Sequence, residues 1–279
     1  MRLNCAGREI DLTTPVVMGV LNVTPDSFSD GGRFVDLTAA LAHADAMIAA
    51  GASVIDVGGE STRPGAGPVS ADDEMRRVLP IIDALVSRGA LVSIDTSKPE
   101  VIRAALAAGA HLVNDVRALQ QPGALEAAAS GSAAICLMHM QGEPATMQQS
   151  PAYGDVVAEV IGFLRARLEA CQKVGIGRDR MLVDPGFGFG KTLDHNLALL
   201  RNLPKISAAT NVPILAGLSR KSMLGALTGR GVDERLAGSL ALAFAALEGG
   251  ARIIRCHDVA ETCDVVKVWA ALRGGGGMA

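Results

Sequence analysis

With 279 residues, a net charge of −3 and 3% aromatic side chains, the chain has neither the basic stripe nor the base-stacking platform that a nucleic-acid partner requires. No apolar run reaches the roughly 18 residues of a membrane span and the N-terminus lacks a signal-peptide core, so a cytoplasmic protein without a membrane partner is expected. The five cysteines, Cys5, Cys136, Cys171, Cys256 and Cys263, show no C-x-x-C pair and no zinc-like cluster with histidine, and they read as small buried hydrophobes.

Leu3–Cys5 and Arg8–Asp11 flank Ala6-Gly7 and suggest a short hairpin capping one end of the fold. Val16–Leu21 then forms an apolar run that ends on Asn22. Others follow: Val54–Ile55 on Asp56, Leu91–Ile94 on Asp95, Leu112–Val113 on Asn114, Ile135–Met138 on His139 and Met181–Val183 on Asp184. Val212–Leu215 stands ahead of Ser219 and Lys221, and Ile253–Ile254 ends on Arg255. Between these runs lie segments of helical spacing: Leu37–Ala50, Asp72–Arg88, a helix opened by Pro99, the weaker Pro122–Ser130, Tyr153–Val174, Leu193–Leu200, Glu234–Gly249 and Val259–Leu272. Gly51, Gly89 and Gly109 follow three of them, where a left-handed cap costs least. Eight strand–helix alternations with right-handed crossovers predict an α/β fold, a (β/α)8 TIM barrel with a short N-terminal hairpin. Residues 1–273 read as a single domain and 274–279, rich in glycine, as a flexible tail.

Strand-end residues of such a barrel gather at one mouth, over a dry core. Asp95, Asn114 and Asp184 offer two acceptor carboxylates and an amide, which suit a flat ligand rich in N–H donors such as an aminopyrimidinone. One strand-end Asp alone could equally cap the following helix. Three at one level, with no obvious internal cation to pair them, favour the ligand. Lys221, Arg255 and His257 follow the last two strands, where barrels often bind phosphate, and predict an anionic substrate group there. Arg220 competes with Lys221 for the centre, and Asp258 is better placed than His257 to cap the final helix.

The loops Thr24–Arg33 and Glu60–Gly65 are too polar and glycine-rich for core yet longer than minimal βα turns, and are expected to act as lids that complete a site. Gly186-Phe187-Gly188-Phe189-Gly190-Lys191-Thr192 has the look of a nucleotide P-loop, but Pro185 stands where the first glycine is needed. The glycines are expected instead to bend the backbone past Asp184 and to bring Phe189 towards the ligand.

Asn22-Val23-Thr24-Pro25-Asp26-Ser27-Phe28-Ser29-Asp30-Gly31-Gly32, Gly58-Gly59-Glu60-Ser61-Thr62-Arg63-Pro64-Gly65, Asp184-Pro185-Gly186-Phe187-Gly188-Phe189-Gly190-Lys191, Ser219-Arg220-Lys221-Ser222 and Arg255-Cys256-His257-Asp258, in this order, resemble the dihydropteroate synthases. The resemblance spans Val16 to Trp269 and departs only in details such as Cys256 within the Arg-x-His-Asp motif. It implies a transferase of folate biosynthesis. Such enzymes join 6-hydroxymethyl-7,8-dihydropterin diphosphate to p-aminobenzoate, release pyrophosphate and are targets of sulfonamide inhibitors.

By matching positions the resemblance implies that Asp95, Asn114, Met138, Asp184 and Lys221 hold the pterin. Asn22 would bind Mg2+ and, with Thr62, Arg63, Arg255 and His257, the diphosphate. Phe28, Ser61, Thr62, Arg63, Pro64, Phe189, Lys221 and Ser222 would shape the p-aminobenzoate site, and a homodimer built from late helices is expected. Asp95, Lys221, Arg255 and His257 would carry the catalysis, with loss of diphosphate to a pterin cation preceding attack by the amine. A pterin-binding methyltransferase domain of the corrinoid type and a catalytically silent pterin-binding paralogue are the alternatives; the paired loops and the cationic group favour the diphosphate chemistry.

Overall fold

The computed structural model describes residues 1–23, 33–60, 67, 69–143 and 146–274. The sequence-derived lid segments and the glycine tail fall largely outside these residues, as do Phe28, Ser61, Thr62, Arg63 and Pro64.

Among the described residues, two strands form the hairpin, β1 (Arg2–Cys5) and β2 (Arg8–Asp11), paired antiparallel. Eight parallel strands form the main sheet: β3 (Val16–Asn22), β4 (Val54–Gly58), β5 (Val92–Asp95), β6 (Leu112–Asp115), β7 (Ala134–Met138), β8 (Met181–Asp184), β9 (Leu215–Gly217) and β10 (Ile253–Cys256). Their order, β8-β7-β6-β5-β4-β3-β10-β9, follows the chain around a ring, and a parallel bridge between Val183 and Ile214 joins the first to the last. Strands covered on both faces cannot alternate polar and apolar residues, and β4 and β7 are accordingly buried at every position.

The hairpin plugs the end of the barrel where the strands begin. Leu3, Cys5, Ile10 and Leu12 pack on Met18, Val54, Leu112, Cys136, Leu182, Leu215 and Ile253, so this end is sealed with apolar side chains and no ligand enters there. A second apolar layer lies between sheet and helices, with Val17, Ile55, Ile94, Val113, Ile135 and Val183 facing outward onto it.

The helices are α1 (Arg33–Ala49), α2 (Ala71–Ser87), α3 (Pro99–Ala107), α4 (Ala124–Ala129), α5 (Val156–Lys173), α6 (Leu193–Arg201), α7 (Leu203–Thr210), α8 (Ser222–Thr228), α9 (Leu236–Glu248) and α10 (Val259–Leu272). Gly51, Gly89 and Gly109 take positive φ after α1, α2 and α3, as their positions in the sequence anticipate. Helix α5 begins at Val156 rather than Tyr153 because the Asp155 carboxylate accepts from the amides of Val157 and Ala158.

Two helices depart from the sequence reading. Helix α7 opens on Pro204, which needs no N–H in a first turn, and buries only Leu203, Ile206 and Thr210. Helix α8 buries Met223 and Leu224 within one turn, too little for a periodic signal.

Candidate active site

The strand ends opposite the plug form the open mouth. Strand register sets Asn22, Gly58, Asp95 and Asn114 side by side at one level, each paired with the next across β3, β4, β5 and β6. On the far side Asp184 ends β8 opposite Met138. Gly217 on β9 leaves the space between Asp184 and Arg255 open: a Cβ there would lie 3.9 Å from both Asp184 Oδ2 and the Arg255 Cβ.

The expectation that no internal cation pairs these carboxylates is overturned for Asp95. Arg255 rises from β10 and donates from Nε to Asp56 Oδ2 at 2.6 Å and from Nη2 to Asp95 Oδ2 at 2.7 Å. Asn114 Nδ2 donates to the same Asp56 oxygen at 3.0 Å. Asp56 lies within β4, not at its end, and is fully buried. The sequence shows Asp56 as the polar end of the run Val54–Ile55, but β4 continues to Gly58 and the partners that make Asp56 a hub stand on other strands. Asp56 Oδ1 is buried and has no hydrogen-bond partner among the described residues, so the hub retains an acceptor that a ligand N–H would satisfy.

Charge in this mouth is costly, and the proton affinities reflect it. Burial pushes the Asp95 carboxyl up to about 7 against the pull of Arg255, with Asp56 and Asp115 adding to the rise. Burial also raises Asp184, although its Oδ1 accepts from the Gly186 amide at 2.7 Å. Asp184 therefore caps the turn that follows it and still presents its other oxygen towards Gly217. Burial lowers Lys221 to about 8, with Asp184 opposing. For Arg255 burial works against the charge, but Asp56 and Asp95 more than restore it and hold the guanidinium protonated.

Lys221 faces the centre, as expected of one of the two cations. Its Nζ donates to Phe187 O at 2.5 Å and lies 4.1 Å from the centroid of the Phe189 ring. Arg220 turns away at φ +56 and makes a two-point pair with Asp258, at 3.1 Å and 2.5 Å. Asp258 occupies the N-cap position of α10 but makes no side-chain cap, contrary to the sequence reading, because its carboxylate is committed to Arg220. Ser219 Oγ lies 3.1 Å from His257 Nδ1 and accepts from the His257 amide, which fixes the ring beside β9. Ser222 opens α8 and is exposed.

His139, which follows β7, does not join this group. It is buried, its Nδ1 lies 3.0 Å from Lys191 Nζ, and burial together with Lys191 drives its pKa down to about 3. The loop after β4 is tied down at its stems: Lys98 Nζ reaches both Glu60 and Glu74 at 2.5 Å, Arg77 donates to Gly59 O, and Glu60 accepts from the Val69 amide. A cleft of about 280 Å³ lined by Val116, Arg117, Gln120, Gln121, Met140, Gly142 and Glu143 lies on the rim and contains none of the mouth's acidic side chains.

All five cysteines are free and buried, as expected. Among the described residues no group of three or more His, Cys, Asp and Glu side chains is placed to hold a metal ion, and no helix is long and apolar enough to cross a membrane.

Residues 18–257 match the family of pterin binding enzymes. The chain is 53% identical over 269 residues to a dihydropteroate synthase of Escherichia coli strain K12, covering 96% of this chain and 95% of that one. Its structure is similar to that of the Yersinia pestis dihydropteroate synthase in a sulfonamide drug complex, with a TM-score of 0.93, 50% identity and coverage of 98% and 100%. It is likewise similar to the Xanthomonas albilineans dihydropteroate synthase with 4-aminobenzoic acid, with a TM-score of 0.91, 51% identity and coverage of 98% of both chains.

Proposed function

The chain belongs to the pterin-binding enzymes and, among them, to the dihydropteroate synthases, and from that premise we propose how its own residues carry the reaction. The reaction joins 6-hydroxymethyl-7,8-dihydropterin diphosphate to p-aminobenzoate, giving 7,8-dihydropteroate and pyrophosphate, and the chain is a transferase.

One observation supports the pterin assignment above the others. Asp56, Asp95, Asn114 and Asp184 converge on one mouth from four strands, and a buried acceptor on Asp56 lacks a protein donor. An aminopyrimidinone edge supplies N–H donors of that kind. Asp184 and Asn114 address the pyrimidine edge, Met138 packs beside the ring, and Asp95 lies nearest the incipient positive charge.

The diphosphate lies towards Lys221, Arg255 and His257. The C–O bond to the CH2 group breaks, the electron pair leaves with the diphosphate, and the cation is delocalised into the pterin ring beside Asp95. The arylamine nitrogen then forms the C–N bond and loses its proton. A neutral arylamine needs little activation, in keeping with the mouth's electrostatic rather than basic equipment. Arg255 serves both sides: it neutralises Asp56 and Asp95, and its remaining N–H donors meet the leaving charge. Phe189 and Lys221 flank the p-aminobenzoate, and Ser222 lies at the α8 N-terminus near its carboxylate.

The donor set at β3 fits Mg2+ shared with substrate. Mg2+ takes one or two protein oxygens and completes its shell with water and phosphate, and Asn22 offers an amide oxygen beside Gly58 at the level of Asp95. Bound there, the ion would supply charge for the leaving diphosphate. We place the protein in the cytoplasm, in keeping with five unpaired thiols. We also propose a homodimer on the late helices, whose Leu227, Leu236, Val268 and Leu272 are exposed. The methyltransferase and silent-paralogue readings are not favoured, since the relatives matched over nearly the whole chain are synthases.

Calorimetric titration of 6-hydroxymethylpterin tests the pocket. Asp184→Asn keeps the acceptor for the Gly186 amide but loses the charge, and is expected to weaken binding by on the order of 1.5–3 kcal/mol with no change in unfolding midpoint. Unchanged affinity would remove Asp184 from the pterin site.

A further inference from the structure

The loop between β8 and α6 packs closely around a lysine that is buried away from solvent. Lys191 is 3% exposed. Its Nζ donates to Gly186 O at 2.8 Å and Phe189 O at 2.9 Å, lies 3.2 Å from His139 O, and approaches His139 Nδ1 at 3.0 Å. Every acceptor in this cage belongs either to the loop or to His139, the residue after β7, so one ammonium clamps two loops together.

The rest of the loop is accounted for in the same way. Phe187 O accepts from Lys221, Gly188 O from Gln148, Gly190 O from the Tyr153 hydroxyl at 2.8 Å and Lys191 O from Asn196 at 3.4 Å, while the Gly188 amide donates to Asn196 Oδ1 at 2.7 Å. The fit leaves no slack. A Cβ at Gly186 would meet His139 O at 1.8 Å, and one at Gly190 would meet Gln141 O at 2.2 Å. Outward from this clamp the loop presents two groups to the mouth, the Phe189 ring and the Phe187 carbonyl that holds Lys221.

We propose that Lys191 is a positioning residue for the amine substrate: by caging its ammonium between His139, Gly186 and Phe189 it fixes the Phe189 ring and the Lys221 ammonium that flank the p-aminobenzoate subsite. This rests on the synthase reading above. No apolar side chain of the same length reproduces these contacts: without Lys191 the His139 and Phe189 carbonyls lose their donor, and Gly186 O keeps only the Phe189 amide at 3.1 Å. Burial lowers Lys191 to about 7, with the Asp184 charge opposing and Lys221 adding to the fall.

The pterin pocket does not depend on the clamp to the same degree. Asp56, Asp95 and Asn114, on strands β4, β5 and β6, are bonded to one another's network and to Arg255 rather than to the loop, while Asp184, through the Gly186 amide, and Lys221, through Phe187 O, are the polar links that join the pocket to it. Loss of Lys191 therefore separates the two substrates kinetically, which a general loss of stability does not.

Steady-state kinetics of Lys191→Met with both substrates varied tests this. The KM for p-aminobenzoate is expected to rise at least about tenfold, while that for the pterin diphosphate stays within about threefold of wild type. Asn196→Ala, which frees the same loop at the Gly188 amide without touching the mouth, is expected to give the same split to a smaller extent and serves if Lys191→Met does not fold. Equal rises for both substrates, or an unchanged p-aminobenzoate KM in either folded variant, overturns the proposal. Absence of turnover by the wild-type enzyme itself would instead overturn the synthase reading.

Discussion

At the residue scale Arg255 is the cation that ion-pairs the carboxylates of β4 and β5. Arg255→Ala leaves Asp56 and Asp95 without their partner in a site where Arg255 is 21% and Asp56 0% exposed. Breaking a pair of this kind costs roughly 3–5 kcal/mol, so a fall in the urea midpoint is expected before any effect on diphosphate binding is read. A midpoint equal to wild type would mean that the carboxylates find other partners. Asp95 gives a pH signature. Its folded pKa of about 7 lies above the ordinary carboxylate value, so the native state holds a proton that the unfolded chain has lost. Its contribution to stability is present at low pH and is lost as pH rises through about 7. Activity runs the other way if ionised Asp95 stabilises the cation: kcat/KM falls below about pH 7, and Asp95→Asn removes that limb together with most of the rate. A limb that persists in Asp95→Asn belongs to another group.

At the scale of elements the chemistry-bearing positions were legible because they punctuate the strands. Seven of the eight apolar runs end on a polar residue close to where the strand ends, and only Val212–Leu215 stands apart from its Ser219 and Lys221. What escaped was the interior of that pattern. Asp56 lies within a strand, and its meaning depends on Asn114 and Arg255, 58 and 199 residues away. Lys191 stood in a motif whose glycines drew attention, while its own role is set by carbonyls that no sequence displays. The short helices α7 and α8 bury three and two side chains and give no periodicity to read. The β8–α6 loop also yields a prediction. Gly186 sits at φ +70 with backbone 1.8 Å from its absent Cβ, so Gly186→Ala must displace His139 and the Lys191 cage. A loss of more than about 2 kcal/mol in chemical denaturation is expected, and a change within about 0.5 kcal/mol would show that the loop yields.

At the scale of the molecule the plugged and open ends divide the labour. The hairpin seals the barrel with Leu3, Ile10 and Leu12, and the acidic mouth is left as the place where a polar ligand meets rigid strands. On the outside, Val268 and Leu272 are 56% and 71% exposed on α10. If a second copy covers them, Val268→Lys with Leu272→Glu should shift sedimentation from dimer towards monomer, and an unaltered sedimentation coefficient would place the contact elsewhere. The roles assigned to these residues all serve one transfer. Incubating the protein with 6-hydroxymethyl-7,8-dihydropterin diphosphate, Mg2+ and p-aminobenzoate should release pyrophosphate and form dihydropteroate in equal amounts, with no dihydropteroate formed when the amine is withheld. Pterin binding without pyrophosphate release, or release that does not yield dihydropteroate, would contradict it.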